Sequence, residues 1–88
     1  MSRANPRLNA LKSRVLAERR RRGDEGYVDD HVKRIAVHLV IEEIELADLS
    51  PAASFVVANA VGLSVADYIA AISWLDPDHA ALLRQHSN

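Results

Sequence analysis

A chain of 88 residues, 49% apolar and 26% charged, is the size of one domain, and its composition is that of a globular protein rather than a disordered one. It has no cysteine, which excludes disulfides and thiolate metal sites and favours a cytoplasmic location. The net charge of −1 hides a split. Residues 1–22 hold eight basic side chains against one acid, Glu18, for +7, while residues 23–88 hold three basic and eleven acidic side chains, for −8. Such asymmetry points to an arm that meets a polyanion or an acidic protein surface.

Phe55, Trp74, Tyr27 and Tyr68 are the only aromatics, so the core is expected to be aliphatic. No apolar stretch follows the first charges, so no secretory signal is expected. The longest apolar run, Pro51 to Leu63, is too short for a membrane span and carries Ser54 and Asn59.

Asn5-Pro6 opens a helix, because Asn caps and Pro at the first helical position lacks an N–H that has no partner there anyway. Leu8, Leu11, Val15 and Leu16 follow helical spacing, and Arg19 to Arg22 fill the last turn before Gly23. This predicts a basic helix over 6–22, in an arm (residues 1–23) partly independent of an acidic helical body (24–88). Four consecutive arginines surround a helix, giving a charged collar suited to phosphate contact without sequence reading. Arg14, Arg19, Arg20, Arg21 and Arg22 are the expected contacts to nucleic acid backbone or to an acidic partner.

Asp24 is expected to cap a second helix running to about Ala47. In projection Val28, Val32, Ile35, Leu39 and Leu46 share one face, while Val37, Ile41 and Ile44 lie nearly opposite, with Val40 beside them. A strand competes, because Ile35, Val37, Leu39 and Ile41 alternate, but the alternation fails at Glu43 and the helical stripe survives to Leu46. An apolar stripe of Val37, Val40, Ile41 and Ile44 needs a cover, so those four residues are the expected seam of a homodimer or of a protein partner.

Ser50-Pro51 and Asp76-Pro77 start two more helices. Between them Gly62 stops one and Ser64 caps the next. Helices over 51–61, 65–75 and 77–85 are predicted, completing an all-α bundle of four to five helices, with Trp74 in the core and the last residues frayed.

Ser54 to Ser73 resembles the outline of a helix-turn-helix, with Ala58 where the helices touch, Gly62 at the turn and Val57, Val61 and Leu63 packing. The resemblance would imply DNA reading by the second helix. Its exposed early positions, Ser64, Val65, Ala66, Asp67, Ala70 and Ser73, offer no side chain that reads purine edges. A tight helical hairpin is the expected role. Residues 62–69 are similar to the second-helix start of ribbon-helix-helix repressors, which would imply a basic strand upstream. Ile41–Leu46 carries Glu42, Glu43 and Glu45 there instead.

His31 and His38 are two turns apart, roughly 10 Å, too far to share a metal. His38 and Glu42 give two ligands of the three or four that a site needs, and His79 and His86 have no carboxylate pattern beside them beyond Asp76 and Asp78. No metal, cofactor, small-molecule substrate, membrane insertion or catalysis is expected. The reading is a small regulator that acts by binding. It dimerises or takes a protein partner through its body and meets nucleic acid backbone through its arginines. The alternative is a protein–protein inhibitor or adaptor, of the kind encoded by phages or found as antitoxins, whose basic arm grips an acidic target.

Overall fold

The computed structural model describes residues 5–87 and is all helical. In chain order come α1 (Pro6–Arg22), α2 (Asp29–Ile41), a single 3₁₀ turn (Leu46–Asp48), α3 (Pro51–Ala60), α4 (Val65–Leu75) and α5 (Pro77–His86). Arg3, one of the eight N-terminal cations, and Asn88 lie outside the described residues. No single helix is long and apolar enough to cross a membrane.

The starts follow the capping chemistry. Asn5 accepts from the backbone N–H of Arg7 and Leu8, Ser50 from Ala53, Ser64 from Asp67 and Asp76 from His79. Three of these four caps are followed by Pro, whose fixed φ suits the first helical turn.

Three helices stop in the same way. At the ends of α1, α2 and α3 an N–H reaches back five residues, Asp24 to Arg19, Ile44 to Leu39 and Leu63 to Ala58. This is the 6→1 bond of a Schellman ending, and the residue before each donor is left-handed. Gly23 (φ 70°) and Gly62 (φ 74°) take that conformation at little cost, but at the end of α2 the residue is Glu43 (φ 55°). Here the structure corrects the expected second helix, which ends at Ile41 rather than Ala47. Glu43 turns the chain, Ile44 folds back beside the core, and Leu46 is buried through the 3₁₀ turn instead of a helical stripe. The start moves too. Asp24 sits in a left-handed turn (φ 62°), and α2 begins five residues beyond it, at Asp29, after Gly26 and Val28.

The central element is α4. Tyr68, Ile69, Ala71, Ile72, Ser73, Trp74 and Leu75 are all buried, and α1, α2, α3 and α5 each pack against this helix. From α2 come Val32, Ile35, Ala36 and Leu39, from α3 Val57 and Ala58, and from α5 Ala80 and Leu83. Each fully buried aliphatic side chain contributes about 1.5–3 kcal/mol, so α4 and the faces against it hold most of the fold. The α3–α4 pair meets at 105°, a helix-turn-helix angle. Its second helix is nevertheless the core of the bundle, with only Ser64 to Asp67 and Ala70 facing out.

The basic helix does not stand apart. Val15 is buried in the common core, with Leu8 and Leu11 against it. Arg7 Nη2 donates to the Ile44 carbonyl at 2.6 Å and pairs with Glu45 at 2.8 Å, tying the start of α1 to the turn after α2.

Candidate functional site: the outer face of α1 and α2

The arginine collar is divided by the fold. Counting from Val15, Arg22 is two turns on and shares its inward face. The Arg22 guanidinium lies over the Trp74 ring at 4.3 Å. Its Nη1 donates to Ser73 Oγ at 3.0 Å and its Nη2 to the Ser73 carbonyl at 2.7 Å. Glu18 accepts from both Arg21 and Arg22. Those hydrogen bonds, Arg21's first, hold the Glu18 carboxyl down at about 2, against the desolvation that acts the other way. Arg19 Nε donates to Asp24 Oδ1 at 2.6 Å, which raises the Arg19 pKa, and its guanidinium caps the Tyr27 ring at 4.4 Å. Tyr27 in turn meets Trp74 edge to face, with centroids 5.3 Å apart. Three of the five expected phosphate contacts are therefore engaged within the chain. Arg14 and Arg20 are exposed and make no ion pair among the described residues.

The expected seam is also divided. Val37 (44% exposed) and Ile41 (69% exposed) sit one turn apart on the outer side of α2, and Val40 is half-buried beside them. Ile44 leaves this stripe, because the left-handed Glu43 carries it round to the core and to Arg7. The four residues do not form one line.

What the fold builds instead is a groove of about 400 Å³ between α1 and α2, which sequence reasoning missed. Leu8, Leu11 and Leu16 form one wall, Val32, Ala36 and Val37 the other, and Val15 and Tyr27 also line it. Leu16 and Val37, one on each wall, are half-exposed. Lys12 and Arg19 stand on the α1 wall, Lys33 and Asp29 on the α2 wall. The Lys33 ammonium lies 3.0 Å from Asp29, in a pair open to water on both sides. The ammonium and the Tyr27 hydroxyl, which donates at 2.8 Å, together lower the Asp29 pKa. A second cavity, of about 370 Å³, lies where α1 meets the 3₁₀ turn, between Arg7, Arg14, Ile44, Glu45 and Asp76. Arg7 is already bonded there, and the charges are mixed.

Sequence reasoning also missed a polar pair in the core. Ser54 Oγ of α3 and His79 Nε2 of α5 lie 2.8 Å apart, with Ser54 fully buried and His79 nearly so. Burial lowers the His79 pKa, and the nearby Asp76 opposes that shift. Asp76 bonds the backbone N–H of His79, where it caps α5, and the enclosed pair bolts α3 to α5. Tyr68 Oη is buried without a hydrogen-bond partner among the described residues, and burial pushes its pKa up to about 12. His31 and His38 lie on α2, His79 and His86 on α5. Among the described residues no three His, Cys, Asp or Glu side chains converge as metal ligands.

Compared with known protein families, with curated proteins and with solved structures, the chain finds a match in none of the three.

Proposed function

We propose that the protein is a small cytoplasmic regulator that acts by binding rather than by chemistry, and that its working surface is the outer face of α1 and α2. The observation that supports this is the α1–α2 groove, whose floor and lips are apolar and open to solvent at Leu16 and Val37. Of the seven large apolar side chains exposed among the described residues, Leu16, Val37 and Ile41 belong to these two helices. A clustered apolar face on a protein this small is what a partner covers. Val37 and Ile41, with half-buried Val40 at the edge, are the proposed contacts, and Ile44 supports the fold behind them.

Between the two partner classes, the geometry favours a protein over a nucleic acid. Arg19 and Arg22 are paired with carboxylates of the chain itself and lie against the Tyr27 and Trp74 rings, while Arg21 holds Glu18 in a more exposed pair. A phosphate backbone would have to compete with those partners. Arg14 and Arg20, with Lys12, keep a backbone-only contact as the second reading, at the strength that two or three phosphate contacts give.

Site-specific photo-crosslinking in the cells that make the protein tests the reading. A photoreactive residue at Val37 should give a defined higher-mass protein adduct. The same residue at Val56, which is 68% exposed on α3, should not. Equal labelling from both positions, or labelling from Val56 alone, overturns it.

A further inference from the structure

We infer that the occupant of the α1–α2 groove is an acidic amphipathic helix from another protein. The inference rests on the binding role proposed above and names the chemistry of the partner.

Shape argues for a helix. Residues 23–28 join α1 to α2, and between Leu8 and Leu16 the α1 wall runs eight residues, about 12 Å at 1.5 Å per residue. A helix presenting apolar side chains at i, i+3, i+4 and i+7 covers about 10 Å, so one such ridge fills the groove from end to end. Two helices already packed on a third side by α4 leave a trough into which another helix nests by ridges and grooves.

Charge argues for acid. On a molecule whose net charge is −1, this face gathers Lys12, Arg19, Arg20 and Lys33 against Asp24 and Asp29. Lys12 and Lys33 stand on opposite walls, so a helix lying between them meets an ammonium on each flank. Lys12 has no ion pair among the described residues. The Lys33–Asp29 pair is exposed on both sides, and such pairs are worth little in water, so Lys33 is available to a partner carboxylate. Glutamates flanking the apolar ridge would match both lysines.

A second copy of the chain fits less well. The apolar stripe that α2 shows to solvent is flanked within the helix by Asp29, Asp30, Lys33 and Arg34, already joined as two i,i+4 pairs and neutral in sum, and meets acid only at Glu42 and Glu43, where the helix has ended. The exposed Leu82 of α5 lies between Asp78 and Arg84, again balanced. Within the described helices the largest surplus of acid beside an exposed apolar side chain is a single charge, Asp67 next to Val65 on α4.

The test is a fluorescence-anisotropy titration of the full chain, at low salt, against two labelled helical peptides. Both carry leucines at i, i+3, i+4 and i+7, one with flanking glutamates and the other with lysines in their place. The acidic peptide should bind at least about tenfold tighter, a difference of about 1.4 kcal/mol. Leu16→Asp and Val37→Asp should each weaken it about tenfold or more, and Lys12→Glu with Lys33→Glu should remove the preference for acid. Both substituted apolar residues are half-exposed, and circular dichroism checks that the variants fold. Equal binding of the two peptides sinks the acidic partner while leaving a protein-binding groove. Binding of neither by a chain that self-associates in sedimentation, with association lost in Val37→Asp, sinks it in favour of a second copy. Binding of neither by a monomer overturns both the inference and the reading beneath it.

Discussion

Arg22 and Ser73 are 51 positions apart in the chain, yet the guanidinium of one donates to both the hydroxyl and the backbone carbonyl of the other. The same arginine lies on Trp74 and is bonded to Glu18. One side chain thus locks the end of α1 to the central helix, and a residue type that advertises polyanion contact in the sequence is a structural bolt here. Replacing Arg22 by Ala leaves the Ser73 carbonyl and Glu18 without that donor and uncovers the Trp74 ring. The expected loss is about 1–3 kcal/mol of unfolding free energy, read from urea denaturation. Arg20→Ala, at an exposed position without an ion pair among the described residues, should stay within about 0.5 kcal/mol of the parent.

The left-handed residues at the helix ends give a paired prediction. Gly62 has ample room, with only the Arg34 guanidinium 3.9 Å from where a Cβ would stand, so Gly62→Ala is opposed by its φ of 74° alone. It should cost about 1–2 kcal/mol. Glu43 carries the strain in the parent, and Glu43→Gly relieves it at the expense of a more flexible unfolded chain. A stability equal to or up to about 1 kcal/mol above the parent is expected. Thermal melts of the two variants, shifting in opposite directions or with Glu43→Gly unchanged, check the assignment of both helix ends.

Acid should weaken the fold in two stages. His79 has a lowered pKa in the folded state, so between that value and its ordinary 6.5 the unfolded chain binds a proton that the native one refuses. The stability due to neutral His79 is complete above about pH 6.5 and falls as the pH drops below it. Glu18 is lowered from 4.5 to about 2, so its share is complete above pH 4.5 and is lost as the pH falls through that lower range. Melting temperatures recorded from pH 8 to pH 2 should show both steps. His79→Gln should remove the upper one and keep the lower.

Most helix starts, and two of the stops, were legible because the capping side chains and prolines act locally. Asn5-Pro6, Ser50-Pro51, Ser64 and Asp76-Pro77 mark their helices as observed, and Gly23 and Gly62 end theirs. The end of α2 was not legible, since a glutamate in a glycine conformation has no sequence signature. The strain at Glu43 is tolerated because Ile44 and Leu46 reach the core beyond it. Arg22 did leave a trace. Leu8, Val15 and Arg22 are spaced seven apart, which places the arginine on the buried stripe of α1, but a stripe shows only which face is inward and not that Trp74 and Ser73 wait there. The groove left none, because Leu16 and Val37 belong to different helices and line one groove only when α1 and α2 have both docked on α4.

Nucleic acid binding, if carried by the residues that remain free, should be weak and should map to them. Retention of the full chain on duplex DNA at low salt should drop when Arg14 and Arg20 are both changed to Ala. The salt dependence of log K should have a slope no steeper than about −3, the value for three phosphate contacts. A steeper slope would mean that Arg19, Arg21 and Arg22 leave their carboxylates to meet phosphate.

The proposed partner surface is the open face between α1 and α2. The most direct measurement is a set of ¹H–¹⁵N correlation spectra of the full chain, titrated with the acidic amphipathic peptide. Amide shifts should gather on residues 8–19 and 32–41, around Leu16 and Val37, and leave α3 and α5 unmoved. Shifts centred on α3 or α5, or spectra that do not change at all, would rule that face out.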